Sequence, residues 1–192
     1  MKIYFASGNA HKKEELARIL PNHTIVIPSD EGILFDPEET ETTFFGNSLI
    51  KARTLFEITG KPVIADDSGI CVDALGGDPG VLSARYGSEN GQKLDTAGRN
   101  SLLLLRMEGI KNRTCRFVCN MVLYVATDRF YSVQETLEGT LVTENRGSGG
   151  FGYDPLVLVP ALGRTVAELT PEEKDELSHR GKAGRVIARL LS

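Results

Sequence analysis

Apolar positions along the chain fall into two patterns, and each pattern predicts a different element. Short β-branched or aromatic runs are typical of strands, whereas apolar residues at helical spacing indicate amphipathic helices. Both patterns alternate through the first hundred residues. The predicted strands are residues 2–6, 24–28 and 63–65, and the predicted helices are residues 11–20, 44–60 and 95–107.

The second half of the chain begins with two long strand patterns at residues 115–127 and 130–142. The turn residues Asp128 and Arg129 between them indicate an antiparallel hairpin. A short apolar strand is predicted at residues 156–159. A helix should then start at Thr170-Pro171 and end near residues 178–181, before a last helix over residues 182–191.

Composition and charge narrow the class of protein. The 192 residues suit one folding unit of two closely joined lobes, and 41% hydrophobic with 25% charged residues is typical of globular domains. A net charge of −4 argues against a nucleic-acid partner. No apolar run approaches the about 20 residues that span a bilayer, and the N-terminus turns polar by Ser7, so we expect a cytoplasmic protein without a membrane partner. Cys71, Cys115 and Cys119 lack zinc-ligand spacing and are expected as core thiols.

Two adjacent acids, Asp66 and Asp67, follow the apolar run 63–65 directly and precede Ser68-Gly69. The pattern predicts a buried strand that ends in a turn, with carboxylates where the core opens to solvent. Because neighbouring strand residues point to opposite faces, we expect only one of the two acids to perform chemistry. The alternative is ordinary turn chemistry, which these residue types also favour.

A second polar segment separates the first strand from the first helix. Ser7, Gly8 and Asn9 are followed by Lys12 and Lys13 in the first helical turn. Cations at a helix N-terminus oppose the macrodipole unless they meet an anion, so the turn has the outline of a phosphate cradle. From these residues alone, a simple N-cap with solvated lysines is the favoured explanation of the turn.

The acidic segment 29–43 carries Glu38 and Glu39 and leads into the second predicted helix. Asn47 and Lys51 lie at i and i+4 on the polar side of that helix. The segment therefore delivers carboxylates to the start of a helix whose polar stripe carries a cation.

Residues 144–155 contain glycines at the G-x-G-x-x-G spacing of a dinucleotide loop. Pro155 and the apolar strand after it exclude the helix which that loop requires, so no NAD site is inferred. The glycines beside Phe151, Tyr153 and Asp154 could instead let a flat ligand stack, or could form a bulged hairpin end with core aromatics.

The last polar group is His179-Arg180 beside Gly181, with Lys174 about one turn upstream. The predicted helix junction places these two donors at an exposed turn.

Together these segments resemble the inosine triphosphate pyrophosphatase family over nearly the whole chain and in the family's order. The matching segments are Ser7-Gly8-Asn9-Ala10-His11-Lys12, Glu38-Glu39-Thr40 with Thr43-Phe44, Asn47 and Lys51-Ala52, Ala65-Asp66-Asp67-Ser68-Gly69 with Gly76-Gly77, Pro79-Gly80 and Ser83-Ala84-Arg85-Tyr86, Gly150-Phe151-Gly152-Tyr153-Asp154-Pro155, and Ser178-His179-Arg180-Gly181.

The resemblance implies one α/β domain over residues 1–192, in which a long twisted mixed β-sheet is flanked by helices and an active-site cleft lies between two lobes. It implies a cytoplasmic homodimer that uses Mg²⁺. The implied reaction converts non-standard purine nucleoside triphosphates (ITP, dITP, XTP) to the monophosphate and pyrophosphate, and so cleanses the nucleotide pool.

The resemblance also implies residue roles. Asp67 is the general base, Asp66 its supporting partner, and Lys51 and Ser68 lie near the reacting phosphate. The purine base of the substrate is held by Phe151, which stacks on it, and by polar residues around it. The implied sets are Glu38, Glu39 and Asp67 for the metal; Ser7, Gly8, Asn9, Ala10, His11 and Lys12 for the phosphates; and Phe151, Gly152, Tyr153, Asp154, Lys174, His179 and Arg180 for the base.

One residue departs from the family's pattern. The family usually carries Glu immediately before the helix asparagine, and this chain has Gly46 there. We therefore expect weaker magnesium binding or a different placement of Glu38 or Glu39, and a helix that begins later than the apolar pattern suggests. Two alternatives follow: a septum-inhibitor-type nucleotide pyrophosphatase with another base preference, and a catalytically silent nucleotide-binding module.

Overall fold

The computed structural model describes residues 1–88 and 92–191, which form seven strands and five α-helices. The strands are β1 (Lys2–Phe5), β2 (Thr24–Val26), β3 (Val63–Val72), β4 (Thr114–Ala126), β5 (Arg129–Leu141), β6 (Val157–Val159) and β7 (Arg164–Thr165). The helices are α1 (Ala10–Ile19), α2 (Phe44–Thr59), α3 (Thr96–Arg106), α4 (Pro171–Leu177) and α5 (His179–Leu190).

All seven strands belong to one mixed sheet with the order β2-β1-β3-β4-β5-β6-β7. Strand β1 pairs in parallel with β2 and β3, whereas β6 pairs antiparallel with β5 and β7. Only two residues join β4 to β5, and such a short link permits only antiparallel pairing. The predicted α/β fold with a mixed sheet flanked by helices is confirmed.

The chain divides into two compact units. The first comprises the described residues of 1–67, 119–136 and 175–192, and the second those of 68–118 and 137–174. In the first unit, Ile3 and Phe5 pack in one apolar cluster, with residues of α1 and α5, and Tyr4 packs in another, with residues of α2. Because side chains alternate along a strand, both faces of β1 are covered by helices. The second unit has its own core, which includes Leu103 and Phe117.

Helix α2 begins at Phe44 because the Thr43 hydroxyl accepts a hydrogen bond from the Gly46 backbone N–H at 3.0 Å. It ends at Gly60, which adopts the left-handed conformation (φ 62°) that suits glycine after a helix. The expectation that Gly46 would delay the helix start is therefore wrong. A capping hydrogen bond in the first turn fixes the start despite the low helix propensity of glycine.

Strand β3 does not end at Ser68-Gly69, as the turn-forming residues predicted. It continues to Val72, and Ile70 and Val72 are fully buried. A Cβ at Gly69 would lie 2.3 Å from both the Gly80 carbonyl oxygen and the Ser83 hydroxyl oxygen. Gly69 therefore serves the close approach of another segment to the strand, and not a turn.

The prediction for the last helix is also wrong. Helix α5 starts at His179, where the Ser178 hydroxyl accepts a hydrogen bond from the Gly181 N–H at 3.0 Å. His179 and Arg180 therefore lie in the first turn of α5, and both are buried.

The remaining sequence predictions can be checked directly. The hairpin strands are confirmed, each shifted by one residue. Cys115 and Cys119 are buried free thiols, as expected, and Cys71 is half-buried. Within residues 1–88 and 92–191, no helix combines the length and the apolar character that crossing a bilayer requires.

Replacement of Gly69 by alanine is expected to destabilise the protein by about 1–3 kcal/mol, because the new methyl group would overlap a backbone carbonyl that cannot move freely. Gly8→Ala is the matched control, since a Cβ at Gly8 meets no atom within 4 Å. Urea unfolding of both variants measures the difference. Equal midpoints for Gly69→Ala and the wild type would contradict the close approach.

Candidate active site

The predicted phosphate turn and the paired acids emerge side by side because of strand register. Phe5 of β1 lies opposite Ile64 of β3 in a parallel pair, and the Ala6 N–H donates to the Ile64 carbonyl at 2.8 Å. Ser7 and Asp66 each follow two residues after these partners. The register therefore places Asp66, in the middle of β3, beside the turn that follows the carboxyl end of β1, and ligands of such sheets bind at the carboxyl ends of strands.

The turn after β1 is held by its own side chains. The Asn9 carboxamide oxygen caps α1 by accepting the Lys12 N–H at 3.3 Å, and the Ser7 hydroxyl accepts the Asn9 N–H at 3.1 Å. Gly8, Ala10 and His11 are exposed. The predicted N-cap of α1 is therefore present. The Lys12 side chain is not part of this cap and points to Asp66 of β3.

Asp66 is 1% exposed and is surrounded by cations. Its Oδ1 accepts from Lys12 Nζ at 3.0 Å, and its Oδ2 accepts from Arg180 Nε at 3.0 Å and Nη2 at 2.7 Å. Burial by itself would raise the pKa of Asp66, but Lys12, Arg180 and Lys51 outweigh it and hold the pKa well below its usual range. Asp66 therefore stays ionised, with both oxygens engaged.

Asp67 has a different environment, although it is the next residue. Its Oδ1 accepts from Lys51 Nζ at 3.1 Å, and its Oδ2 lies 3.4 Å from Asn47 Nδ2. Burial, with a contribution from Glu39, raises the pKa of Asp67 above its usual value, although Lys51 and Lys12 act against it. A raised pKa makes this carboxylate a stronger base than an exposed aspartate.

Lys51 joins the acidic segment to β3. Its Nζ donates to Glu39 Oε1 at 3.0 Å as well as to Asp67 Oδ1 at 3.1 Å. Burial would lower the pKa of Lys51, but Asp67, Asp66 and Glu39 raise it above the usual value. The predicted convergence of acids from separate segments with Lys51 is thus present within the first unit.

The donor chemistry of this group fits a magnesium ion. Mg²⁺ prefers oxygen ligands and usually takes one or two carboxylates, completing its shell with phosphate oxygens and water. Glu39 and Asp67 already converge on one cation, the Lys51 ammonium. Glu38 is exposed, and within residues 1–88 and 92–191 no three His, Cys, Asp or Glu side chains gather at metal-binding distances. Of the three predicted carboxylates, Glu39 and Asp67 converge on Lys51, and a metal-binding role for Glu38 stays a prediction.

Gly46 is covered by a residue that the sequence analysis did not single out. A Cβ at position 46 would lie 2.5 Å from the Cβ and 2.6 Å from the Cγ of Glu41. The Glu41 N–H donates to the Asn47 carboxamide oxygen at 3.0 Å, which fixes this part of the acidic segment on α2. The glutamate side chain thus occupies the space that a side chain at position 46 would need.

Of the residues predicted to hold the purine base, some belong to the first unit and others to the second. In the second unit, Lys174 Nζ donates to Asp154 Oδ2 at 2.6 Å and lies 4.5 Å from the centre of the Phe151 ring. The Phe151 N–H donates to the same Asp154 oxygen at 2.8 Å. This cluster presents a cation and an aromatic ring together.

Two residues of the same loop, Tyr153 and Gly152, have structural contacts. The Tyr153 hydroxyl is buried and donates to the Ser83 carbonyl at 2.9 Å, so Tyr153 belongs to the core, as the second interpretation of this loop held. The Gly152 carbonyl accepts from Asn100 Nδ2 at 3.2 Å. Ser68 is half-buried within β3.

In the first unit, His179 is 6% exposed and Arg180 is 2% exposed, so they do not form an exposed turn as predicted. The correction follows from the N-cap at Ser178, which places both residues inside the helix. Arg180 Nη1 also donates to Glu15 Oε2 at 2.7 Å. Glu15 was missed from the sequence, although its position one turn after Lys12 on α1 was the available signal.

Comparison with known proteins identifies the family of this chain. The family model described as the Ham1 family matches residues 3–190. A dITP/XTP pyrophosphatase of Treponema denticola is 53% identical over 191 residues, which cover 100% of this chain and 98% of that protein.

Two solved structures are similar over the whole chain. A HAM1 protein from Coxiella burnetii superposes with a TM-score of 0.89 at 36% identity, covering 100% of this chain and 98% of that one. The nucleoside-triphosphatase, or dITP/XTP pyrophosphatase, of Mycobacterium abscessus gives a TM-score of 0.76 at 41% identity, with coverages of 100% and 99%. The resemblance found in the sequence is confirmed, and the chain belongs to the Ham1 family.

Proposed function

We propose that this protein hydrolyses non-standard purine nucleoside triphosphates, such as dITP, XTP and ITP, to the monophosphate and pyrophosphate. The observation that carries the proposal is the convergence of Asp67 and Glu39 on Lys51, beside the Lys12–Asp66 pair, next to the carboxyl end of β1. Relatives at 40–53% identity named dITP/XTP pyrophosphatases support the same reaction and favour it over a septum-inhibitor-type base preference.

In the proposed reaction, Asp67 accepts a proton from the water that attacks the α-phosphorus. The new P–O bond forms as the bond to the α,β-bridging oxygen breaks, and pyrophosphate leaves. Burial of Asp67 strengthens it as a base, and Asn47 and Lys51 fix its two oxygens. Asp66 is unsuited to this task because the cations Lys12 and Arg180 hold its pKa well below the usual range, which makes it a weak base.

The phosphates carry several negative charges that must be neutralised. Lys12 with the capped turn at Ser7 and Asn9 holds the β- and γ-phosphates, and Lys51 lies nearer the reacting phosphate. Glu39 and Asp67 would hold Mg²⁺, which when bound neutralises phosphate charge and acidifies water.

Base selectivity depends on hydrogen-bond donors. Hypoxanthine and xanthine carry an oxygen acceptor at C6, where adenine carries an amino donor. A site that aims donors at this position leaves them unpaired against adenine, which costs binding energy. We assign stacking to Phe151 and orientation to the Lys174–Asp154 pair. Following the resemblance, we further propose a cytoplasmic homodimer.

Pyrophosphate release from a panel of nucleotides tests the proposed function. With Mg²⁺, the purified protein should have a kcat/KM for ITP, dITP or XTP at least about tenfold above that for ATP or GTP. Equal values for all purines would contradict the selectivity, and binding without pyrophosphate release would favour a silent module.

Asp67→Asn should lower kcat by about a hundredfold or more, because an amide cannot accept the proton of the attacking water. Binding of ITP, measured by calorimetry, should change little. The control is Asp128→Asn, a turn residue between β4 and β5. Near-normal turnover by Asp67→Asn would rule out the assignment of Asp67 as the base.

The two aspartates should also differ in their effects on stability. Asp66→Asn should lower the free energy of unfolding at pH 7 by about 3 kcal/mol, since it leaves two buried cations without their shared carboxylate. Asp67→Asn should lower the free energy of unfolding by less than about 1 kcal/mol, because the buried charge of Asp67 is itself unfavourable.

The pH dependence of the protein's stability follows in part from the lowered pKa of Asp66. A carboxylate with a lowered folded-state pKa stabilises the fold above its unfolded pKa, about 4, and loses that effect as the pH falls further. The Tm difference between the wild type and Asp66→Asn should therefore be full at pH 7 and shrink below about pH 4. A difference that grows on acidification would contradict it.

Glu39→Gln should raise the Mg²⁺ concentration that gives half-maximal rate by about tenfold, because one of two carboxylate ligands is lost. Calorimetric titration with Mg²⁺ in the presence of IMP provides a readout independent of turnover. Glu38→Gln is the matched control, since Glu38 is exposed. An equal effect of both changes would contradict the two-carboxylate set.

A further inference from the structure

The connection between β5 and β6, residues 142–156, carries the Phe151 ring to which we assign stacking. Phe151 stands between Gly150 and Gly152, whose φ angles are 66° and 62°. Glycine adopts this left-handed conformation without strain, but it also leaves the backbone free to adopt others. The position of the ring therefore depends on contacts that hold the backbone around it.

Phe151 itself is held by Asp154. The Phe151 N–H donates to Asp154 Oδ2 at 2.8 Å, and the Asp154 N–H donates to the Phe151 carbonyl at 3.2 Å. Lys174 Nζ of α4 donates to the same carboxylate oxygen at 2.6 Å. These contacts fix Phe151, but they do not reach the carbonyl of Gly152.

The carbonyl of Gly152 is held from helix α3. Asn100 Nδ2 donates to it at 3.2 Å, and Asn145 Oδ1 lies 3.4 Å from the same nitrogen. A carbonyl can only accept, so the atom that faces it must be the amide nitrogen of Asn100. The next residue, Tyr153, is buried in the core of the second unit. Gly152 is thus the link between the Phe151 ring and the core, and Asn100 holds this link in place.

Packing alone does not explain an asparagine at position 100. The residue is only 3% exposed, and in the part of the chain that the structure describes its Oδ1 has no hydrogen-bond partner. Burial of an unpaired acceptor is unfavourable, whereas an apolar side chain of similar volume, such as leucine, would avoid that cost. The favourable contribution of the amide is therefore the hydrogen bond that its nitrogen donates.

We propose that Asn100 is a positioning residue of the purine-base site: it fixes the Gly152 carbonyl, and this holds the Phe151 ring in the orientation that stacks on the base. Asn100 is buried and acts through the loop without contacting the base. The inference rests on the proposed function for its ligand, whereas its geometry is that of the second unit alone.

The main experiment separates the base end of a nucleotide from its phosphates. Affinities for IMP and for inorganic triphosphate are measured by calorimetry with Mg²⁺ for the wild type and Asn100→Leu. The variant should bind IMP about tenfold more weakly, because the ring must be ordered on binding, with triphosphate affinity unchanged. Ser101→Leu is the matched control, since Ser101 is the next residue of α3 and is exposed. Equal IMP affinities of Asn100→Leu and the wild type would overturn the proposal.

Stability distinguishes a positioning role from a purely structural one. Leucine removes the unpaired acceptor and keeps the volume, so the Tm of Asn100→Leu should stay within about 2 °C of the wild type. A lower Tm with weaker binding of both ligands would assign Asn100 to the fold and overturn the proposal.

Asn100→Asp is the second variant, because it keeps the shape of the side chain and loses only the donor. It should also bind IMP about tenfold more weakly. Full IMP affinity in this variant would show that the donated hydrogen bond is not what positions the ring.

A double-mutant cycle tests whether Asn100 acts through Phe151. In a Phe151→Leu background, Asn100→Leu should cause no further loss of IMP affinity, because the ring it positions is gone. Additive losses would show that Asn100 acts on the ligand by another route and would refute the inference.

Hydrogen exchange gives a readout that needs no ligand. In Asn100→Leu, the amides of residues 145–154 should exchange at least about fivefold faster than in the wild type, and those of β4 should be unchanged. Unchanged exchange over residues 145–154 would contradict the role of Asn100 in holding the loop.

Kinetics and binding together separate this inference from the proposed function. In the active enzyme, Asn100→Leu should raise KM for ITP by more than it lowers kcat, and the reverse would overturn the proposal. A wild type that binds IMP but does not hydrolyse ITP would refute the proposed reaction, while the affinities, the cycle and the exchange rates would still decide the role of Asn100. A wild type that binds no IMP would refute the base site and this inference with it.

Discussion

The ionised carboxylate of Asp66, held inside the protein by two cations, is the interaction on which the proposed phosphate site depends. Isolated charge is costly to bury, so Asp66, Lys12 and Arg180 are stable only as a set. The set joins a strand to two helices, α1 and α5, and it fixes the residues around it in one geometry. The stability of the first unit and the placement of Lys12, which we propose binds phosphate, therefore have a common cause.

Adjacent residues acquire different chemistry here through their surroundings alone. Asp66 faces two strong cations and has a lowered pKa, whereas burial leaves Asp67 with a raised pKa beside Lys51. Strand alternation is the reason that one neighbour can differ so much from the next. We propose that Asp66 has a structural role and that Asp67 acts as the general base. Enzymes with paired carboxylates separate the roles of their two acids in the same way, by giving them different environments.

The sequence predicted the α/β fold and the helices that carry polar caps, because local patterns determine them. It failed at Gly69, where a residue typical of turns serves a close approach within a continuing strand, and only tertiary contacts reveal that. The sequence-based prediction was also wrong for Arg180, which the predicted helix junction placed at an exposed turn. Ser178 caps a helix that begins three residues earlier than expected, and the acids that receive the guanidinium are 114 and 165 residues away in the chain.

Glu41 and Gly46 show a dependence between two positions that neither reveals alone. Because the glutamate side chain fills the space over the glycine, a side chain can be accommodated at one of these positions only if the other remains small. Substitutions there are therefore epistatic: a replacement at 46 would be harmful in this chain and neutral in a relative with a small residue at 41. Exchange of both residues together, with glycine at position 41 and glutamate at position 46, would move the acid from one position to the other without this overlap.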